Sequence, residues 1–123
     1  MGDFMSSELY LWKKGNTWAR VEPDGNVRVG VIPDVIRKYP KVAVVRFVVS
    51  EGASVKQGDK IASIGVSKTT ITVEAPISGT IININAKAKT TPAIIKKDPT
   101  GEGWLIVIKP SKLEEDLKNL VKG

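Results

Sequence analysis

The chain has 123 residues, of which 41% are hydrophobic and 26% charged, and its formal net charge is +6. That length suits a single soluble domain with an ordinary buried core. It contains neither cysteine nor histidine. This excludes a disulfide framework and a thiolate nucleophile, and it removes the usual general base and metal ligand near neutral pH.

Residues 1–8 are mixed in character and are expected to form a flexible N-terminal segment ahead of one domain over 9–123. Leu9 to Trp12 reads as a short edge strand, followed by a turn over Lys13-Lys14-Gly15-Asn16. Two strands, Thr17 to Glu22 and Asn26 to Val31, flank Pro23-Asp24-Gly25, where proline presets φ and glycine accepts a positive φ. Pro33 to Tyr39 is a short helix, opened by a proline whose missing N–H costs nothing there and stopped before Pro40. Lys41 to Val49, rich in valine, reads as a core strand.

Turns follow at Glu51-Gly52 and Gly58-Asp59. Strands over Lys60 to Ile64 and Thr70 to Glu74 enclose a loop carrying Lys68. Pro76 to Gly79 turns the chain into an alternating strand over Thr80 to Asn85. Thr91 and Pro92 are read as the N-cap and first residue of a short helix. After a loop over Asp98 to Gly103, Trp104 to Lys109 is the last core strand. Ser111 and Glu114 have capping-box spacing, and Leu113, Leu117, Leu120 and Val121 follow at helical spacing. Short strands between regular turn signals predict a mainly β fold: two small antiparallel sheets in a sandwich-like barrel, with short helices and a C-terminal helix.

Of the 19 cations, 15 are lysines spread along the chain. The dense aromatic and arginine surface used to stack on nucleic acid is missing. A nucleic-acid-binding β-barrel remains an alternative of another class, one that would show binding steeply weakened by salt. No apolar run approaches the ~20 residues needed to span a bilayer, and a cytoplasmic protein is expected. Met1-Gly2-Asp3-Phe4-Met5-Ser6 formally fits the N-myristoylation pattern, a short pattern often met by chance.

Lys68 lies between two β-prone runs, with small neighbours at Gly65, Ser67, Thr69 and Thr70, and Ala75-Pro76-Ile77-Ser78-Gly79 begins seven residues later. A lysine that several proteins must reach belongs on such a turn, held by stiff strands. This hairpin resembles the attachment hairpin of lipoyl domains. Gly52-Ala53-Ser54-Val55-Lys56-Gln57-Gly58-Asp59 before it is similar to the corresponding approach in the glycine cleavage H-protein family. Asp98-Pro99-Thr100-Gly101-Glu102-Gly103-Trp104, Lys109-Pro110-Ser111, Trp18 and Gly30 also resemble that family, and the similarity covers about residues 9 to 121.

The resemblance implies a lipoyl-domain-like barrel-sandwich hybrid acting as a carrier rather than an enzyme. Lipoate would be held on Lys68, within a hairpin of Gly65, Val66, Ser67, Thr69 and Thr70. Its partners would be a lipoyl ligase or lipoyltransferase, glycine decarboxylase, aminomethyltransferase and dihydrolipoyl dehydrogenase. Thr17 and Lys38 would border the cleft that shelters the arm. The family's acid before the early tryptophan is Thr17 here, its helix histidine is Lys38, and the lipoyl-hairpin glutamate three residues before the lysine is Gly65. These departures leave open a related lipoate-binding carrier of a sulfur-oxidation, disulfide-reductase-like system.

Overall fold

The computed structural model describes residues 8–123. The expected flexible segment therefore lies, apart from Glu8, outside the described residues. Ten strands form two antiparallel sheets, with short helices between them.

The larger sheet is built from β1 (Tyr10–Trp12), β2 (Thr17–Val21), β3 (Val27–Val31), β5 (Ser54–Val55), β8 (Gly79–Ile84), β9 (Ile106–Pro110) and β10 (Val121–Lys122), in the order β10-β1-β2-β3-β9-β8-β5. β4 (Val42–Phe47), β6 (Lys60–Val66) and β7 (Thr69–Glu74) form the smaller sheet, with β6 in the middle. Neither sheet closes on itself, and their sizes are unequal. The β2–β3 turn has the expected chemistry: Gly25 has φ +89° and its N–H donates to the Glu22 carbonyl.

Both sheets turn one face into a common core. Val27, Val29, Ile81, Ile106 and Ile108 come from the larger sheet, and Val45, Ile64, Ile71 and Val73 from the smaller. Burying each such side chain stabilises the fold by roughly 1.5–3 kcal/mol relative to exposure. Trp18 is fully buried; its indole N–H donates to the Pro99 carbonyl at 3.1 Å, tying β2 to the 98–103 loop.

Four expectations are corrected. The valine-rich run is an edge strand, not a core strand: a bulge between Val42 and Val44 buries Val42 and Val45 but leaves Val44 41% exposed. Leu9 to Trp12 is not an edge, because β10 pairs alongside β1. The helix α3 (Ile94–Lys97) is capped by Ala93 without a side-chain bond; Thr91 instead ends a helix not foreseen, α2 (Ala86–Thr90), whose N-cap Asn85 accepts from Lys87 N–H. The C-terminal helix α4 (Leu113–Leu117) has only five residues, with no side-chain cap at Lys112. The chain then turns back as β10, so Val121 is exposed rather than on a helix face. Among the described residues, no helix is long and apolar enough to cross a membrane.

Candidate functional site

The smaller sheet projects one turn. Its registration runs from Lys60 opposite Glu74 to Val66 opposite Thr69, leaving Ser67 and Lys68 as a two-residue connection. Alternation fixes this pairing. Ile64, Val66, Ile71 and Val73 point into the core, so a slip by one residue would turn Ile71 and Val73 out to water.

Ser67, Lys68, Thr69 and Thr70 are all exposed at the tip. Neither turn residue has positive φ, since Asn16 is the one non-glycine residue so placed among the described residues. The turn therefore differs from the primed types that dominate two-residue hairpins. Lys68 has no carboxylate within 4.0 Å among the described residues. Gly65 sits on the outer face opposite Val44 and Thr70; a Cβ there would meet a Val44 methyl at 2.6 Å.

A groove of about 370 Å³ follows the β7 side of the hairpin. Thr70 and Thr72 line one wall; Lys14, Lys38 and Tyr39 line the other, with Glu74 at its end. Lys38 comes to the groove because α1 (Pro33–Ile36) ends just before it. Thr17 does not line it. That side chain is fully buried beneath β7, and its hydroxyl donates to the Glu74 carbonyl at 2.8 Å.

Glu74 is the residue the sequence reading missed. Its carboxylate accepts a hydrogen bond from the Trp12 indole N–H at 3.0 Å, so an acid reaches this groove from β7 rather than from position 17. The signal was present: strand alternation puts Glu74 on the same side as Thr70 and Thr72. Asn16 closes the corner by donating to the Thr72 carbonyl at 2.9 Å.

A second groove, about 330 Å³, lies on the β4 side of the same hairpin. Lys41, Lys96 and Lys97 surround a floor of Pro40, Val42 and Ala93. Val42 pairs with Val66, so this groove begins one residue from the turn.

Two open antiparallel sheets presenting an exposed, lysine-tipped hairpin define a lipoyl-domain-like protein. The crystal structure of a glycine cleavage system H protein from Mycobacterium marinum has this fold: it aligns with a TM-score of 0.76 at 29% identity, over 86% of this chain and 85% of that one. The glycine cleavage H-protein family model matches residues 9–123. Glycine cleavage system H protein 2 of Aquifex aeolicus (strain VF5) is 35% identical over 122 residues, spanning 99% of this chain and 75% of that protein. A probable glycine cleavage system H protein of Pyrococcus abyssi (strain GE5 / Orsay) is 33% identical over 121 residues, spanning 98% and 89%. This chain belongs to the glycine cleavage H-protein family.

Proposed function

We propose that this protein is a non-catalytic carrier that holds lipoate in amide linkage on Lys68 and serves a glycine cleavage system in the cytoplasm. The observation that carries the reading is the exposed amine at the two-residue tip of a hairpin whose strands are locked by core packing. The residues suit the group. Ser67 and Thr69 are small, and no ion pair among the described residues holds the amine back. Amide formation removes the lysine charge, so the tip needs no counter-ion.

Bound there, lipoate would supply a disulfide–dithiol couple for carrying an aminomethyl group between a glycine decarboxylase, an aminomethyltransferase and dihydrolipoyl dehydrogenase. The protein's own residues hold and present. β6 and β7 keep the tip in one place, which raises the effective concentration of whatever it carries at each client. The groove along β7 offers Thr70 and Thr72 hydroxyls and one carboxylate, Glu74, for a cationic cargo. Excluding water there would protect a labile load.

A second reading keeps the arm and changes the cargo. Lys14 and Lys38 border the groove, Lys38 at the position where the family resemblance leads one to expect a helix histidine, and like charge disfavours an ammonium cargo. A carrier of anionic sulfur species would suit those cations. Exchange of the glycine carboxyl group catalysed by a glycine decarboxylase with the loaded protein separates the two: activity supports the first reading, and none supports the second.

Attachment is tested by intact mass spectrometry after incubation with a lipoyl ligase. One lipoyl adduct is expected on the native chain and none on Lys68→Ala or Lys68→Arg. An adduct that survives both substitutions assigns the wrong lysine.

A further inference from the structure

We infer that the groove on the β4 side of the hairpin docks an acidic, apolar-tipped surface of the enzyme that loads Lys68; this rests on the reading of Lys68 as the attachment residue. The unmodified lysine is short. An enzyme that acylates it must close against the root of the turn, whereas a client met by a fully extended arm can stand further off. Two grooves flank that root, and the chain from Lys38 to Lys41 runs between them.

The grooves differ in sign and in floor. The β7-side groove mixes Lys14 and Lys38 with Glu74. The β4-side groove has three lysines and no acid in its lining. Its floor is apolar: Pro40 and Ala93 are exposed, and Val42 lies below them at 5% exposure. Lys96 is held in place, its ammonium donating to the Tyr39 carbonyl at 2.6 Å. Lys41 and Lys97 are exposed and have no carboxylate within 4.0 Å among the described residues.

The nearby acids are engaged elsewhere. Asp98, next to Lys97, accepts the Glu102 N–H; the Glu102 carboxylate takes the Lys87 ammonium at 2.9 Å; Asp34 pairs with Arg37. An apolar anchor ringed by acids would match this groove in shape and charge. Such complementarity speeds encounter and fixes orientation while adding modest affinity per charge.

The test is steady-state lipoyl transfer by a lipoyl ligase to the full-length unmodified protein, followed by mass spectrometry. Lys41→Glu and Lys97→Glu are each expected to raise KM for the carrier about threefold to fivefold, and together more than about tenfold, with kcat unchanged. KM of the native chain should rise between about 50 and about 200 mM salt as screening sets in, and the double variant should lose most of that dependence. Lys56→Glu, an exposed change in the turn just after β5 and outside both grooves, should move KM by less than about twofold. Thermal melts of the variants check that the fold is kept, and Lys41→Gln with Lys97→Gln should give an intermediate KM.

A double variant with native KM overturns the inference while leaving Lys68 as the attachment residue. So does an equal effect from Lys56→Glu, which would reflect net charge and not a docking groove. A native chain that acquires no adduct at Lys68 removes the attachment reading and the inference with it.

Discussion

Gly30 is small because Trp18 fills the space above it. A Cβ built on Gly30 would stand 2.5 Å from the indole ring, and Trp18 is fully buried and bonded to the Pro99 carbonyl, so it has nowhere to go. Gly30→Ala is therefore expected to destabilise by about 1–3 kcal/mol, the usual cost of overpacking a well-filled core, measured by urea unfolding. The charged residues of the β7-side groove behave differently. Glu74→Gln keeps an acceptor for the Trp12 indole, so stability should change by no more than about 0.5 kcal/mol, as for most surface replacements. If the groove shelters a cationic load, that same substitution should shorten the lifetime of the loaded form toward hydrolysis. At this scale the sequence was readable where a residue's role is local. Lys68 stands at a turn that its flanking strands announce. Alternation along β7 puts Glu74 on the side of Thr70 and Thr72, but the place of Thr17 is not local, because it depends on β2 packing against β7, elements separated by more than fifty residues.

Among the elements, α4 departs furthest from its sequence pattern. Serine and glutamate at positions 111 and 114 have capping-box spacing, but neither caps the helix. A buried acid fixes it instead. Asp116 is 3% exposed and its carboxylate accepts the Ser78 N–H at 2.7 Å, while Gln57 donates to the carbonyls of both Pro76 and Asp116. Asn119 completes the set by donating to the Gln57 side-chain oxygen at 2.8 Å. The helix is thus pinned to the Ala75–Gly79 turn. Asp116→Ala should cost about 1.5–3 kcal/mol, because it leaves a buried N–H without its charged acceptor. Ser111→Ala should change stability by less than about 0.5 kcal/mol, whereas loss of a working cap costs about 0.5–2 kcal/mol; chemical denaturation of the two variants separates the two accounts. Leucine spacing in 113–121 signals an amphipathic helix, but no local rule shows that the strand at β1 offers Val121 and Lys122 a better partner. The helix over 86–90 is hidden for the opposite reason: Asn85 is a good N-cap, but in the sequence it also closes the alternating strand pattern of 80–85.

For the whole molecule, the sequence showed the class of fold through alternation and turn chemistry, and it placed the protruding hairpin correctly. It did not show that the sheets would be unequal. That outcome comes from pairings between distant strands, β3 with β9 and β1 with β10, which bring both ends of the domain into one large sheet. The basic charge acquires a location only in three dimensions. Fifteen lysines spread along the chain suggest a uniformly solvated surface, yet four of them, Lys38, Lys41, Lys96 and Lys97, gather around the root of one hairpin.

The pairing of β1 with β10 also brings the backbone at Leu9 and Gly123 side by side. The Gly123 N–H donates to the Leu9 carbonyl at 2.9 Å, and Tyr10 lies opposite Lys122. A few glycines could join residue 123 to residue 8, and the chain could be reopened in the exposed Pro23–Gly25 bend, where circular permutation is best tolerated. The permuted protein should fold with the parent's melting temperature, and if Lys68 is the attachment residue it should be acylated there as fast as the parent, because none of the relocated peptide bonds lies in the sheet that carries that lysine.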